Sequence, residues 1–205
     1  MRVRTEARRE AILKIAGCMF LQQGYASTSM AAVAAELGGS KSTLYGYFPS
    51  KEELFTAFVI DAGEDAFAAL HDIPVSFDDF DKTLTLLGRR YLQLLLSPRI
   101  IAICRLVIAE STRFPELGLL FFENGPKRVV GRIAGVLEAG VSADVLVPLN
   151  PLNAALQFKA LCEAGIYEKL LWGLEESVAP EIMEAKVESA VEMFLARYGP
   201  SSQKR

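Results

Sequence analysis

The 205-residue chain has a single histidine, His71, and only three widely spaced cysteines, Cys18, Cys104 and Cys162, with no CxxC pair. Such a set builds no His- or Cys-rich metal cluster. An odd cysteine count in apolar helical surroundings points to reduced packing residues rather than a disulfide framework. No metal and no other cofactor is expected. A glycine-rich phosphate loop and a Gly-x-Ser-x-Gly nucleophile element are also missing. A His-based mechanism has little to work with, while carboxylate or lysine chemistry stays open to patterning alone. The chain reads as a non-enzyme.

Long apolar runs are lacking too. The two longest uncharged stretches, Gly17 to Ala35 and Val145 to Phe158, are broken by glutamines, hydroxyls, prolines and asparagines. Neither supplies the roughly 20 mainly apolar residues of a spanning helix. The first residues are charged and then amphipathic, without an apolar signal core, so no membrane partner and a cytoplasmic location are expected. Hydrophobic residues make up 51% of the chain, enough for a sizeable core with a surplus for a pocket or a dimer interface. Charge is uneven. The first 51 residues hold seven cations against three glutamates, a net +4, which leaves −7 for the remainder. A basic end on an acidic body suits a duplex-binding head, although a charge run is more often a solvated face.

No segment alternates like a strand, and proline and glycine divide the chain into helices. The first is predicted from about Arg4 to Gln22, with Gly24 as a left-handed cap. Met30, Val33, Ala34 and Leu37 then mark a short helix stopped by Gly38 and Gly39, and Ser40 caps a third through Phe48. Ser50-Lys51-Glu52-Glu53 reads as a capping box, with Glu53 reaching back, opening a helix to about Leu70. One apolar stripe follows through Phe77, Phe80, Leu84, Leu87 and Tyr91, and another through Ile100, Ile103, Cys104, Val107 and Ile108. Pro115 should open a helix, and Pro126 either kinks it or divides it in two. Two last helices are predicted over about Pro151 to Trp172 and Ala179 to Tyr198. The fold class is therefore all-α, with a three-helix N-terminal domain over residues 1–49 and a helical body over 50–205. The helix of residues 50–70 links them.

Two short helices around Gly38-Gly39-Ser40 have the dimensions of a helix-turn-helix, whose second helix enters the major groove. Val33, Leu37, Gly38, Leu44 and Phe48 would pack it. Lys41, Ser42, Thr43, Tyr45 and Tyr47 remain available, a cation and hydroxyls suited to phosphates and base edges. Arg2 and Arg4 could form an arm reaching the minor groove. Tyr45 could equally brace the core, Lys51 could be a solvated first-turn residue, and Thr28 has a capping role with or without DNA.

The residues Ile12-Leu13, Phe20, Gln23-Gly24-Tyr25, Thr28-Ser29-Met30, Val33-Ala34, Leu37-Gly38, Ser40-Lys41, Thr43-Leu44-Tyr45, Tyr47-Phe48 and Ser50-Lys51-Glu52 with Leu54-Phe55 occur in order. This stretch resembles the N-terminal domain of the TetR family of repressors. The resemblance implies DNA contacts at Thr28, Lys41, Thr43, Tyr45, Tyr47 and Lys51. Gly39 departs from the small apolar residue usual before the serine, and Gly46 leaves a gap in the reading surface. A helical interaction module that has lost specific DNA binding is the alternative those glycines leave open.

In the body, Arg105-Leu106-Val107-Ile108-Ala109-Glu110, Arg113-Phe114-Pro115-Glu116-Leu117, Phe121-Phe122-Glu123 and Gly125-Pro126 resemble the AefR-like C-terminal domain of that family. The resemblance implies a homodimer, operator DNA as a partner and a small apolar or amphipathic effector. Dimer contacts would come from Leu152, Leu156, Phe158, Leu161, Cys162, Val187, Val191, Phe194 and Leu195, which otherwise are ordinary core. Pocket candidates are Tyr91, Cys104, Arg105, Ile108, Phe121, Phe122 and Trp172. An inward Arg105 would imply an anionic or carbonyl-bearing ligand. The plainer reading pairs Arg105 or Arg113 with Glu110 or Glu116 on a helix surface. Together these give the expectation of a ligand-responsive repressor that binds a palindromic operator and is released by its effector.

Overall fold

The computed structural model describes residues 5–200, which places Arg2 and Arg4 outside the described residues. All regular elements among them are helices: α1 (Glu6–Ser27), α2 (Met30–Glu36), α3 (Lys41–Tyr47), α4 (Lys51–His71), α5 (Phe80–Leu95), α6 (Pro98–Glu110), α7 (Pro115–Asn124), α8 (Pro126–Ser142), α9 (Pro151–Glu163), α10 (Tyr167–Leu171) and α11 (Pro180–Tyr198). No single described helix is long and apolar enough to cross a membrane.

Local chemistry accounts for most boundaries. Thr5, Ser29, Ser40 and Asn150 each cap a helix by accepting a backbone N–H three residues on. Pro126 opens α8 after Gly125, so that region is two helices rather than one kinked helix. The predicted helix from Pro151 to Trp172 is also two, interrupted at Gly165, whose φ of 77° lies where other residues are strained. Gly24 differs from expectation in kind. Its φ of 84° and ψ of 164° are not those of a left-handed cap but of an extended region open essentially to glycine alone, and a further helical turn follows it. In the Ser50 cap, the hydroxyl accepts the Glu53 N–H at 3.1 Å, but the carboxylate meeting Ser50 belongs to Glu52, not Glu53.

The chain divides into two compact units. One contains the described residues up to Gly63 together with Ala102–Gly125. Its centre is aromatic. Phe20 stacks on Tyr25 with centroids 5.7 Å apart and meets Phe55 edge-on at 5.5 Å, while Phe58 closes the cluster. Each such fully buried ring stabilises the fold by about 1.5–3 kcal/mol over its exposed state. Phe114, just before α7, joins this cluster edge-on to Tyr25 at 5.3 Å, which is why α6–α7 segregate with the head.

The second unit contains Glu64–Ile101 and the chain from Pro126 onward. Helices α5, α8, α9 and α11 converge on Leu84, Leu87, Ile133, Leu137, Phe158, Val187 and Phe194, all fully buried. Two arginines from α8 hold the last turns of α4. Arg132 donates to the Leu70 and Ile73 carbonyls at 3.2 and 3.3 Å, and Arg128 lies 4.0 Å over the Phe67 ring. Cations at a helix C-terminus satisfy orphan carbonyls and complement its dipole.

Candidate nucleic-acid interface

Leu44 of α3 and Phe48 just after it are buried, and with Val33 and Ala34 of α2 they seat this short helix. The opposite face is exposed at Lys41, Ser42 and Tyr45, with Tyr45 about half exposed. Thr43 is half-buried. The Ser40, Ser42 and Thr43 hydroxyls lie together, Ser40 Oγ being 2.8 Å from each of the others. A hydroxyl in such a group can still turn its proton or lone pair to a phosphate or base edge. A side chain at Gly46 would meet nothing within 4 Å, so the gap on the reading face is open space.

Three of the expected DNA contacts have partners within the protein. Thr28 is buried, and its hydroxyl donates to the Gly24 carbonyl at 2.9 Å. The Lys51 ammonium donates to the Tyr25 and Thr28 carbonyls at 2.7 and 2.8 Å and sits 4.0 Å from the Tyr25 ring centroid. Burial draws that ammonium below the ordinary lysine range, against the pull of Glu52 and Glu110. Tyr47 is half-buried, and its hydroxyl accepts the Thr5 N–H at 2.9 Å. Thr28 and Lys51 brace the head around the C-terminal end of α1 and Tyr47 braces its N-terminal end, because chain connections there leave backbone groups that only a side chain can satisfy. Tyr25 completes that junction. Its hydroxyl donates to Glu52 at 3.2 Å and is pushed well up by burial first and then by that carboxylate.

Both halves of the chain match known families. Residues 12–58 match bacterial regulatory proteins of the tetR family, and residues 82–200, more than half the chain, match the C-terminal domain of AefR-like transcriptional repressors. The chain belongs to the TetR family. The solved structure of the flavonoid-responsive regulator FrrA is similar to it, with 33% identity and a TM-score of 0.83 over 96% of this chain and 99% of that one. A TetR-family regulator from Pseudomonas syringae pv. tomato str. DC3000 is 27% identical, with a TM-score of 0.74 over 96% and 99%. The HTH-type transcriptional repressor ComR of Escherichia coli (strain K12) is 44% identical over 64 residues, 31% of this chain and 30% of that repressor. This TetR-family chain is thus a transcriptional regulator and not an enzyme, in a family whose fold implies operator binding and homodimerisation.

The expected pocket residues of this TetR-family regulator differ in burial. Ile108 and Phe122 in the first unit are exposed by 59% and 51%, and Trp172 in the second by 70%. Arg105 is exposed as well, Phe121 is half-buried, and Cys104 and Tyr91 are buried. The Tyr91 hydroxyl is bonded to Glu163, which also pairs with Lys159 at 2.6 Å. Burial, then Glu163, pushes that phenol up.

Of the expected dimer contacts, Phe158, Cys162, Val187, Val191 and Phe194 face the core of their own unit, and Leu161 and Leu195 are half-buried. The outward apolar groups on these two helices are Leu152 and Leu156 on α9 and Ile182 and Met193 on α11, each more than half exposed. Periodicity finds the most apolar face of a helix, and that face went to the intramolecular core. Cys18 is exposed, contrary to a packing role, whereas Cys104 and Cys162 are buried. Glu110 and Arg132 were missed as structural anchors. Their partners are backbone atoms far away in sequence, and no local pattern signals them.

Proposed function

We propose that this protein is a homodimeric repressor that reads a palindromic operator through Lys41, Ser42, Thr43 and Tyr45 and leaves it when a small apolar or amphipathic effector binds. The observation that carries the reading is the two-sided α3, with Leu44 and Phe48 seated in the core and a cation and hydroxyls turned outward. Repression accords with the ComR match, and an effector of that class accords with the flavonoid-responsive regulator.

The dimer would form through the outward faces of α9 and α11 at Leu152, Leu156, Ile182 and Met193. In a symmetric pair, two heads then meet half-sites spaced by the duplex repeat. Helix α4 is the conduit this reading favours, because Lys51 secures one end and Arg132 the other. An effector with different affinity for two positions of α4 would change the half-site spacing the heads fit.

Selection of bound fragments from genomic DNA by the purified protein tests the proposal. A recovered palindrome, bound more weakly by Lys41→Ala with a salt slope lower by about 1, supports it. Recovery of no preferred duplex by an intact dimer would leave an interaction module that no longer reads DNA. Failure of a flavonoid panel to release the recovered duplex would remove that effector class.

A further inference from the structure

Gly39 has no positive φ, so its backbone would accept any residue. The space beside it explains the glycine. A Cβ built there would lie 3.0 Å from Arg8 Nη2 and 3.7 Å from Leu37 Cδ2. That same Arg8 nitrogen donates to the Leu37 carbonyl at 3.4 Å, at the C-terminal end of α2 where carbonyls lack helical partners. A guanidinium is well suited to such a site, since a charge-assisted bond there also complements the helix dipole.

The neighbouring residues of α1 hold the other end of α3. The Thr5 N–H donates to the Tyr47 hydroxyl at 2.9 Å, and Arg9 lies 5.7 Å over the Phe48 ring. A helix of 7 residues does not hold its orientation by itself, because its own hydrogen bonds barely offset the cost of nucleation. The first turns of α1 therefore clamp α3 at both ends, through Tyr47 and Phe48 at one and the preceding turn at the other.

We propose that Arg8 is a positioning residue for the recognition helix, and that Gly39 is glycine to make room for it. The proposal rests on the DNA-reading function of α3, and it adds a residue that does not itself touch DNA. A methyl at position 39 pushes the flexible guanidinium back by a few tenths of an ångström, enough to break its already long 3.4 Å bond to the Leu37 carbonyl.

The test is a double-mutant cycle of Arg8→Ala and Gly39→Ala, read on the selected duplex and on a scrambled duplex of equal length at fixed salt. Each single variant should weaken the selected duplex by about ten-fold while leaving the scrambled one within about two-fold. The double variant should be no weaker than the poorer single, because the two changes remove the same contact. Losses that multiply would overturn the proposal, as would an Arg8→Ala loss equal on both duplexes, which would make Arg8 a phosphate ligand. Gly39→Ala should melt close to the parent, since the freedom alanine removes from the unfolded chain offsets the lost Arg8 contact, and so it can be compared as a folded protein. Amide exchange at Leu44 and Tyr47 gives a reading without DNA. Faster exchange in both single variants supports the clamp, and unchanged exchange in both overturns it. If no duplex is selected, the DNA-reading function fails, while the exchange result still decides whether Arg8 positions α3.

Discussion

The Glu110 carboxylate at the end of α6 accepts the Ala26 backbone N–H at 3.2 Å, joining helices 84 positions apart in sequence. The acceptor stands beside Gly24, where a Cβ would lie 2.7 Å from Glu110 Oε1. The segment from Gly24 to Thr28 leads directly into α2, so this bond sets where the helix-turn-helix begins. Glu110→Ala should lower the stability of the first unit by about 1–3 kcal/mol, the usual cost of orphaning a donor that had a charged partner. The check is thermal unfolding combined with Ala26 amide exchange, which should accelerate. Unchanged exchange at Ala26 would show the bond to be incidental.

Acid should loosen the same region through Glu52. Its carboxyl is held below the ordinary value of 4.5, chiefly by its own backbone N–H and with help from Ser50 and Tyr25, against the opposing effect of burial. A depressed folded value means the unfolded chain binds the proton first. The contribution is therefore complete above the ordinary glutamate value and is lost as pH falls through the lower folded one. Glu52→Gln should flatten that part of the acid limb of a melting-temperature profile. An identical profile for the variant would assign acid sensitivity to other carboxylates.

Leu156 and Phe158, two residues apart on α9, should behave oppositely. Leu156→Arg places a charge on the outward face and should yield a folded monomer by sedimentation, with little change in helix content. Phe158→Ala opens a void in the core, where the ring meets Phe194 edge-on at 5.4 Å, and should cost about 3–5 kcal/mol of stability. A Leu156→Arg protein that remains a dimer at micromolar concentration would move the interface elsewhere.

The cysteines should separate by reactivity. Cys18 is exposed, whereas Cys162 is buried and its thiol is pushed up to about 12 by burial and then by Glu163. A short alkylation at neutral pH, followed by mass spectrometry, should mark Cys18 and spare Cys162 until the protein unfolds. Labelling of Cys162 in the native protein would mean that its core opens readily.

The helix-turn-helix was legible in the sequence because its information is local. Ser29 and Ser40 cap helices within three residues, Gly38 ends one, and the spacing of Val33, Leu44 and Phe48 marks the buried face. The backbone partners of Thr28 and Lys51 were not. A threonine before a helix and a lysine in a first turn look the same from sequence whether they face phosphate or a carbonyl. The Tyr25 and Thr28 carbonyls that capture Lys51 lie 26 and 23 positions away.

By itself, then, the amino-acid order determined an all-α chain, the family of its head and body, and the capped helices of the helix-turn-helix. Caps, turns and apolar periodicity act over a few residues and are written in sequence. Tertiary structure alone decided that α6–α7 belong with the head, that the strongest apolar faces of α9 and α11 turn inward, and that Arg8 occupies the space at Gly39. Each of those outcomes depends on which distant backbone group or apolar face competes best for a side chain, and that competition exists only once the helices are packed.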